Sequence, residues 1–267
     1  MYHPLPRNWL LATNKIEVGF HNATDPVSMQ GSGFWVRKES GEVVFVTNRH
    51  VVDIEYYDPK YLGRGYKVSW IKILTFKGAE RFNNLISRAD LELPKDRRVD
   101  IAILKNVRVI NMEGSVTSSA IDVIADEDFL RTKLEWGDFV SFASFQPWRD
   151  SKSERPILRM GIVSSDPLYS YEYERIKRKE ILLLEAFSFA GSSGSPVFAN
   201  AKGIQTDESL IGGNFRPARI IGIAAGHMRT GNAGAMFHTG LSYCHRSDLL
   251  LRMMSGREPL ETQQFKY

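Results

Sequence analysis

Three segments of the sequence carry side chains that together can break an acyl bond. His50 sits in TNRHVVD, straight after the apolar run VVFVT (43–47) and downstream of GSGFWV (31–36). Asp100 opens the apolar run of RVDIAILK (98–105), where its carboxylate is expected to be sheltered from water. FAGSSGSPVF (189–198) is a Gly- and Ser-rich tight turn leading into a third apolar run. In chain order these supply a base, a carboxylate to orient it and a hydroxyl, the parts needed for nucleophilic acyl transfer. The residues alone leave three hydroxyls open: Ser192, Ser193 and Ser195. They exclude the Gly-x-Ser-x-Gly elbow of α/β-hydrolases, because position 195 is not glycine and that fold runs Ser, acid, His. His3, His21, His227, His238 and His245 form no His-Glu-x-x-His pattern and have no paired cysteines, so no metal centre and no cofactor are expected.

Such a constellation needs a rigid frame, and the hydropathy pattern points to strands. Short apolar blocks rich in Val, Ile, Phe and Tyr recur at 43–47, 67–76, 100–110, 138–145, 157–165, 180–189, 219–228 and 238–244. In DFVSFASF (138–145) both alternating faces are largely apolar, which suits a closed barrel or sandwich better than a one-faced sheet. SAIDVIADEDFLRTKLEW (119–136) is acidic, lacks a clean stripe and is expected to be partly helical. SDLLLRMMSG (247–256) predicts a helix with Ser247 as N-cap and Asp248 in the first turn. Leu249, Leu250, Met253 and Met254 form its core stripe, and Gly256 stops it. No repeat at about 20–50 residues and no βαβ alternation occurs, which argues against solenoids and doubly wound nucleotide-binding sheets. The expected organisation is all-β: an N-terminal extension (1–14), β units at 15–130 and 131–246, and a C-terminal helix and tail (247–267).

Composition bounds the rest. The 267 residues are 43% hydrophobic and 25% charged, as in ordinary globular chains. No apolar run reaches the roughly 20 residues needed to cross a bilayer, so no membrane partner is expected. The first residues lack a signal-peptide apolar region, which makes the cytoplasm the expected compartment. Cys244 is the single cysteine, so no intrachain disulfide can form. Net charge is +4, and basic and aromatic residues do not interleave in one surface segment, so no nucleic-acid partner is expected. The one dense basic cluster, Arg175, Lys177, Arg178 and Lys179 in YEYERIKRKE, reads as a solvated loop or hairpin tip.

The sequence resembles the trypsin/chymotrypsin-like serine peptidases, most closely the bacterial, disulfide-free branch that includes HtrA-type protease domains. TNRHVV stands at the family's Thr-x-x-His signature and VDIAILK at its Asp-Ile/Val-Ala-Val/Leu-Leu-Lys strand. GSSGSPVF stands at Gly-x-Ser-Gly-Gly-Pro, with Ser195 replacing the last glycine. The spacings agree as well: 50 residues from His50 to Asp100 and 93 from Asp100 to Ser193. The resemblance covers roughly residues 15–255 and implies a chymotrypsin-like double β-barrel with a C-terminal helix. It implies a serine endopeptidase working through an acyl-enzyme, with a protein or peptide as substrate. It selects Ser193 as nucleophile, His50 as base, Asp100 as orienting carboxylate, and the N–H groups of Gly191 and Ser193 as oxyanion hole. It puts Phe187 at the base of the primary pocket with Ser188 and Ala225 around it, implying an apolar or uncharged substrate residue. IIGIAAGH resembles the strand on which substrate backbone docks, so Ala225, Gly226 and His227 are expected to bind substrate, Ala225 replacing a serine that often supports the carboxylate.

Two departures bear on activation. Ser192 stands where secreted members carry the Asp that pairs with a freed N-terminus, so activation by that cleavage is not expected. The oxyanion turn is then either preformed or ordered by a ligand, an oligomer contact or an activating protein partner. No PDZ-like module is expected after the helix, so that kind of regulation would come from another chain. The long loop at 200–219 is expected to contact the active-site rim and help set the turn. The same residues allow an alternative: a protease-like binding scaffold, catalytically silent until a partner engages it.

Overall fold

Strand after strand of alternating side chains closes into two antiparallel barrels. The computed structural model describes residues 1–6, 9, 11–22, 25–77, 80–110, 118–150, 152–173, 176–203, 215–232 and 235–266. The first barrel uses β1 (Thr13–His21), β2 (Pro26–Arg37), β3 (Val43–Thr47), β4 (Lys67–Lys77), β5 (Glu80–Pro94) and β6 (Ala102–Ile110). They follow the order β1-β4-β5-β6-β3-β2, and β2 pairs back onto β1, which closes the ring. A short β7 (Ser118–Ala120) adds to β2 in parallel. The second barrel uses β8 (Phe139–Ser144), β9 (Ile157–Val163), β11 (Ile176–Glu185), β12 (Pro196–Ala199), β13 (Arg219–Asn232) and β14 (Ala235–Arg246). Its ring runs β11-β14-β13-β12-β8-β9 and closes where β9 meets β11, with β10 (Tyr171–Tyr173) appended to β11.

Each barrel is filled by its own inward side chains, as closure at this strand number requires. Ile16, Val18, Phe45, Ile71, Ile73 and Ile86 fill the first, and Val140, Leu182, Leu184, Val197 and Ile221 belong to the core of the second. A third cluster joins the two. Phe34, Val44, Val46 and Ile103 of the first barrel meet Phe198, Ile220 and Ile223 of the second, and Leu249, Leu250 and Met253 pack into the same cluster. Those last three lie on α4 (Ser247–Met254), and a fully buried Leu contributes about 1.5–3 kcal/mol, so the helix helps hold one barrel against the other.

Several local expectations change. Ser247 does not cap α4: Arg246 takes that position, and the Ser247 hydroxyl donates instead to the Ala125 carbonyl at 2.7 Å. The acidic stretch, by contrast, is partly helical as expected, with α3 at Glu127–Thr132. Within the C-terminal tail, β15 (Leu260–Lys266) pairs with β5 of the first barrel. The basic cluster is not a solvated tip. Arg178 and Lys179 lie in β11, Lys179 pairs with Asp96 at 3.0 Å and Arg178 turns toward Asp100; Arg175 lies outside the described residues. Residues 204–214 of the long loop also lie outside them. Among the described residues, no helix is long and apolar enough to cross a membrane.

Candidate active site

β3 delivers His50. The strand ends at Thr47, and Asn48, in extended conformation, starts the four-residue α1 (Arg49–Val52). The Asn48 amide donates to the Asp100 carbonyl at 2.6 Å, tying this turn to the entry of β6. Asp100 is 1% exposed and meets His50 twice: Oδ1 accepts the His50 backbone N–H at 2.9 Å, and Oδ2 lies 2.7 Å from Nδ1. An ionised carboxylate only accepts, so Nδ1 carries the proton and Nε2 keeps its lone pair. Burial opposes the Asp100 charge, but the hydrogen bond from His50 and the nearby Arg178 cation hold the carboxyl well below the usual carboxylate range.

Four groups around Asp100 were not legible as site residues. His245, fully buried, accepts the Asp100 N–H through Nε2 at 3.1 Å and turns Nδ1 to the Lys179 carbonyl at 3.1 Å. Burial brings it down to about 4, and the neutral ring clamps the Asp100 backbone. Arg178 reaches to 3.8 Å from Asp100 Oδ2, lies 4.6 Å over the Tyr56 ring and donates to the Tyr56 hydroxyl, with Tyr243 also near its charge. Burial and the Asp100 charge raise Tyr56 above its ordinary range, so both phenols stay protonated donors. This cation and these phenols occupy surroundings of Asp100 where Ala225 offers no hydroxyl.

The serine turn hangs between the barrels. Ser32 of β2 donates its N–H to the Ser193 carbonyl and its hydroxyl to the Gly191 carbonyl, both at 2.7 Å. On the other side, Gly194 N–H donates to the Ala224 carbonyl at 2.8 Å, and Ala224 N–H donates to Ser195 at 2.9 Å. Ser192 is buried and its hydroxyl lies within hydrogen-bond reach of the Phe189 N–H and the Ser144 hydroxyl, an uncharged anchor. Among the described residues, the N–H groups of Gly191 and Ser193 have no acceptor. Gly191 and Gly194 both have φ +88°, and a Cβ would overlap the Phe145 carbonyl at the first and the Ser32 carbonyl at the second. Gly194→Ala should therefore lose about 2–5 kcal/mol, from left-handed strain plus overpacking, read as an earlier urea midpoint. An unchanged midpoint would contradict this packing.

Ser193 and His50 line one cavity of about 330 Å³. Ser188, Ala225, Gly226 and His227 line it too. Phe187 does not, which corrects its expected place at the pocket base. β11 ends at Glu185, and Phe187 turns outward, 52% exposed, with its ring 4.8 Å from that of His238. Ser188 takes the inward position instead, its N–H held by the Ser242 hydroxyl at 3.1 Å. β12 pairs with β13 only as far as Ile223, so among the described residues the edge of Ala225–His227 on that side carries no strand. Among the described residues no group of three His, Cys, Asp or Glu side chains is placed to hold a metal ion.

The family model for the trypsin-like peptidase domain matches residues 31–204, more than half of the chain. Among solved structures, the chain is similar to Deg5 at 17% identity, covering 91% of this chain and 87% of that one with a TM-score of 0.50. It is also similar to the HtrA-type protease AlgW with decapeptide at 14% identity, with a TM-score of 0.53. That match covers 92% of this chain and 64% of that one. At such identities the likeness concerns the fold, a chymotrypsin-like double barrel. No curated protein sequence matches the chain.

Proposed function

We propose, given that the chain belongs to the trypsin-like peptidase domain family, that it is a serine endopeptidase working through His50, Asp100 and Ser193. The observation that carries this reading is the paired contact of Asp100 with the backbone and ring of His50, on the wall of the cavity that Ser193 also lines. A substrate strand lies along the edge of Ala225–His227 and brings its carbonyl to Ser193. The Ser193 hydroxyl attacks the carbonyl carbon while Nε2 of His50 takes its proton. Negative charge on the carbonyl oxygen is met by the N–H groups of Gly191 and Ser193. Collapse breaks the C–N bond, and His50 passes the proton to the leaving amine. Water, deprotonated by His50, then releases the acyl group and regenerates the hydroxyl.

Asp100 works in this cycle by fixing the Nδ1–H tautomer and stabilising the imidazolium, and the cation of Arg178 keeps Asp100 ionised throughout. The Ser32 and Ala224 bonds support a turn that is preformed, so the reading does not require an activating partner. Mapping new termini in a denatured protein substrate tests it: fresh cleavage with the wild-type chain and none with Ser193→Ala is expected, and equal cleavage by both would overturn it.

The nucleophile is an oxygen, not the sulfur of Cys244. That side chain is fully buried, and burial pushes its thiol up to about 12. Iodoacetamide at neutral pH should leave activity intact, and EDTA and dithiothreitol should do the same. Inactivation in step with alkylation of Cys244 would contradict this.

A further inference from the structure

Among the described residues, the cavity beside Ser193 is lined by arginines with no free acid to balance them. We propose that it takes an acidic side chain, so that the enzyme cleaves after glutamate or aspartate; this rests on the peptidase reading above. Arg178 and Arg229 both line the cavity, together with His227 and the hydroxyls of Ser188 and Tyr243. Among the described residues that line it, the one carboxylate is Asp100, which is buried and engaged by His50, so none of them is a free acid for a lysine or arginine. Arg178 is committed to Asp100 and the two phenols. Arg229 is not: among the described residues it makes no ion pair, and its Nε donates to His227 Nε2 at 3.0 Å.

That bond fixes the hydrogen-bonding order of the pocket. His227 accepts at Nε2, so its proton sits on Nδ1, which faces the Ser188 hydroxyl at 3.5 Å. His227 also stacks on His238, with ring centroids 4.4 Å apart. Burial foremost, then His238 and Arg229, brings His227 down to about 4, and the described residues that line the pocket offer it no free anion. A substrate carboxylate supplies that anion. It accepts from Arg229 and the Ser188 hydroxyl, both charge-assisted bonds. An apolar side chain would offer Arg229 and the Ser188 hydroxyl no acceptor. The pocket therefore differs from the apolar or uncharged one that Phe187 implied, because Phe187 faces away from it.

The test compares one fluorogenic peptide series that varies only the residue before the cleaved bond: Glu, Asp, Gln, Leu and Lys. Glu or Asp should exceed Gln and Leu in kcat/KM by about tenfold or more, the scale of one charge-assisted hydrogen bond. Arg229→Ala should collapse the Glu-to-Gln ratio by about tenfold, and Arg229→Lys, which keeps the charge, should retain most of it. A ratio within one preparation is insensitive to the fraction of protein folded. A preference for Leu or Lys, or a ratio indifferent to Arg229→Ala, overturns the proposal while leaving the peptidase reading intact. Binding of acetylated peptides ending in Glu or Gln to Ser193→Ala protein separates the two in the other direction. Tighter binding of the Glu peptide supports the basic pocket even if no peptide is cleaved, and equal binding contradicts it.

Discussion

Ser193→Ala should lower kcat by about 10⁴ to 10⁶ against any peptide substrate, and His50→Ala should cost a similar amount. The size follows from the arrangement of parts. In the proposed cycle the hydroxyl and the imidazole act in one step, so removing either would remove the same covalent path, and the two losses should not add. What survives is binding plus the oxyanion donors of the turn. Neither change threatens the fold: Ser193 is held through its carbonyl by Ser32, and alanine keeps that carbonyl. Circular dichroism and the urea midpoint should match wild type. A double mutant ten times slower than either single mutant would show that the residues act independently. A Ser193→Ala protein with full kcat would place the chemistry on Ser192 or Ser195.

Asp100→Asn should cost about 10⁴ in kcat with little change in KM. Asp100 accepts two hydrogen bonds from His50, one from the backbone N–H and one from Nδ1. Asparagine has one accepting oxygen and one donating nitrogen. With the oxygen toward the backbone N–H, its amine faces Nδ1 and forces the proton to Nε2, where it can no longer accept from Ser193. With the oxygen toward Nδ1, two donors face each other at the backbone. Either way the buried contact is broken at one end. Stopped-assay kinetics across neutral pH would check this, and an Asp100→Asn enzyme within tenfold of wild type would show that the carboxylate does not set the tautomer.

The contact of His50 with Asp100 was legible because each sits in a short motif at the end of an apolar strand. The two-barrel fold was legible for a related reason: blocks such as VVFVT and DFVSFASF carry their strand character within a few residues. Arg178, Tyr56, Tyr243 and His245 carry no local signature. They reach Asp100 only through the pairing of β11 with β14 and the docking of one barrel on the other, and a basic run like YEYERIKRKE reads as solvated until that pairing is known. The β5 strand, ERFNNLISRADLELP, hides among polar residues because its ring neighbours, not its hydropathy, hold it. Phe187 misled for the opposite reason. Its spacing from Ser193 implied a pocket base, but the bend after Glu185 sets which way the side chain faces.

The most direct test is to react the wild-type protein with a fluorophosphonate and map the adduct by peptide mass spectrometry. The three serines of GSSGSP lie within four residues, so fragmentation must assign the modified oxygen to one of them. The account predicts a single stoichiometric adduct on Ser193, lost in His50→Ala and not diminished by EDTA or dithiothreitol. A folded protein that takes no label, or an adduct on Ser192 or Ser195 that persists in Ser193→Ala, would contradict it.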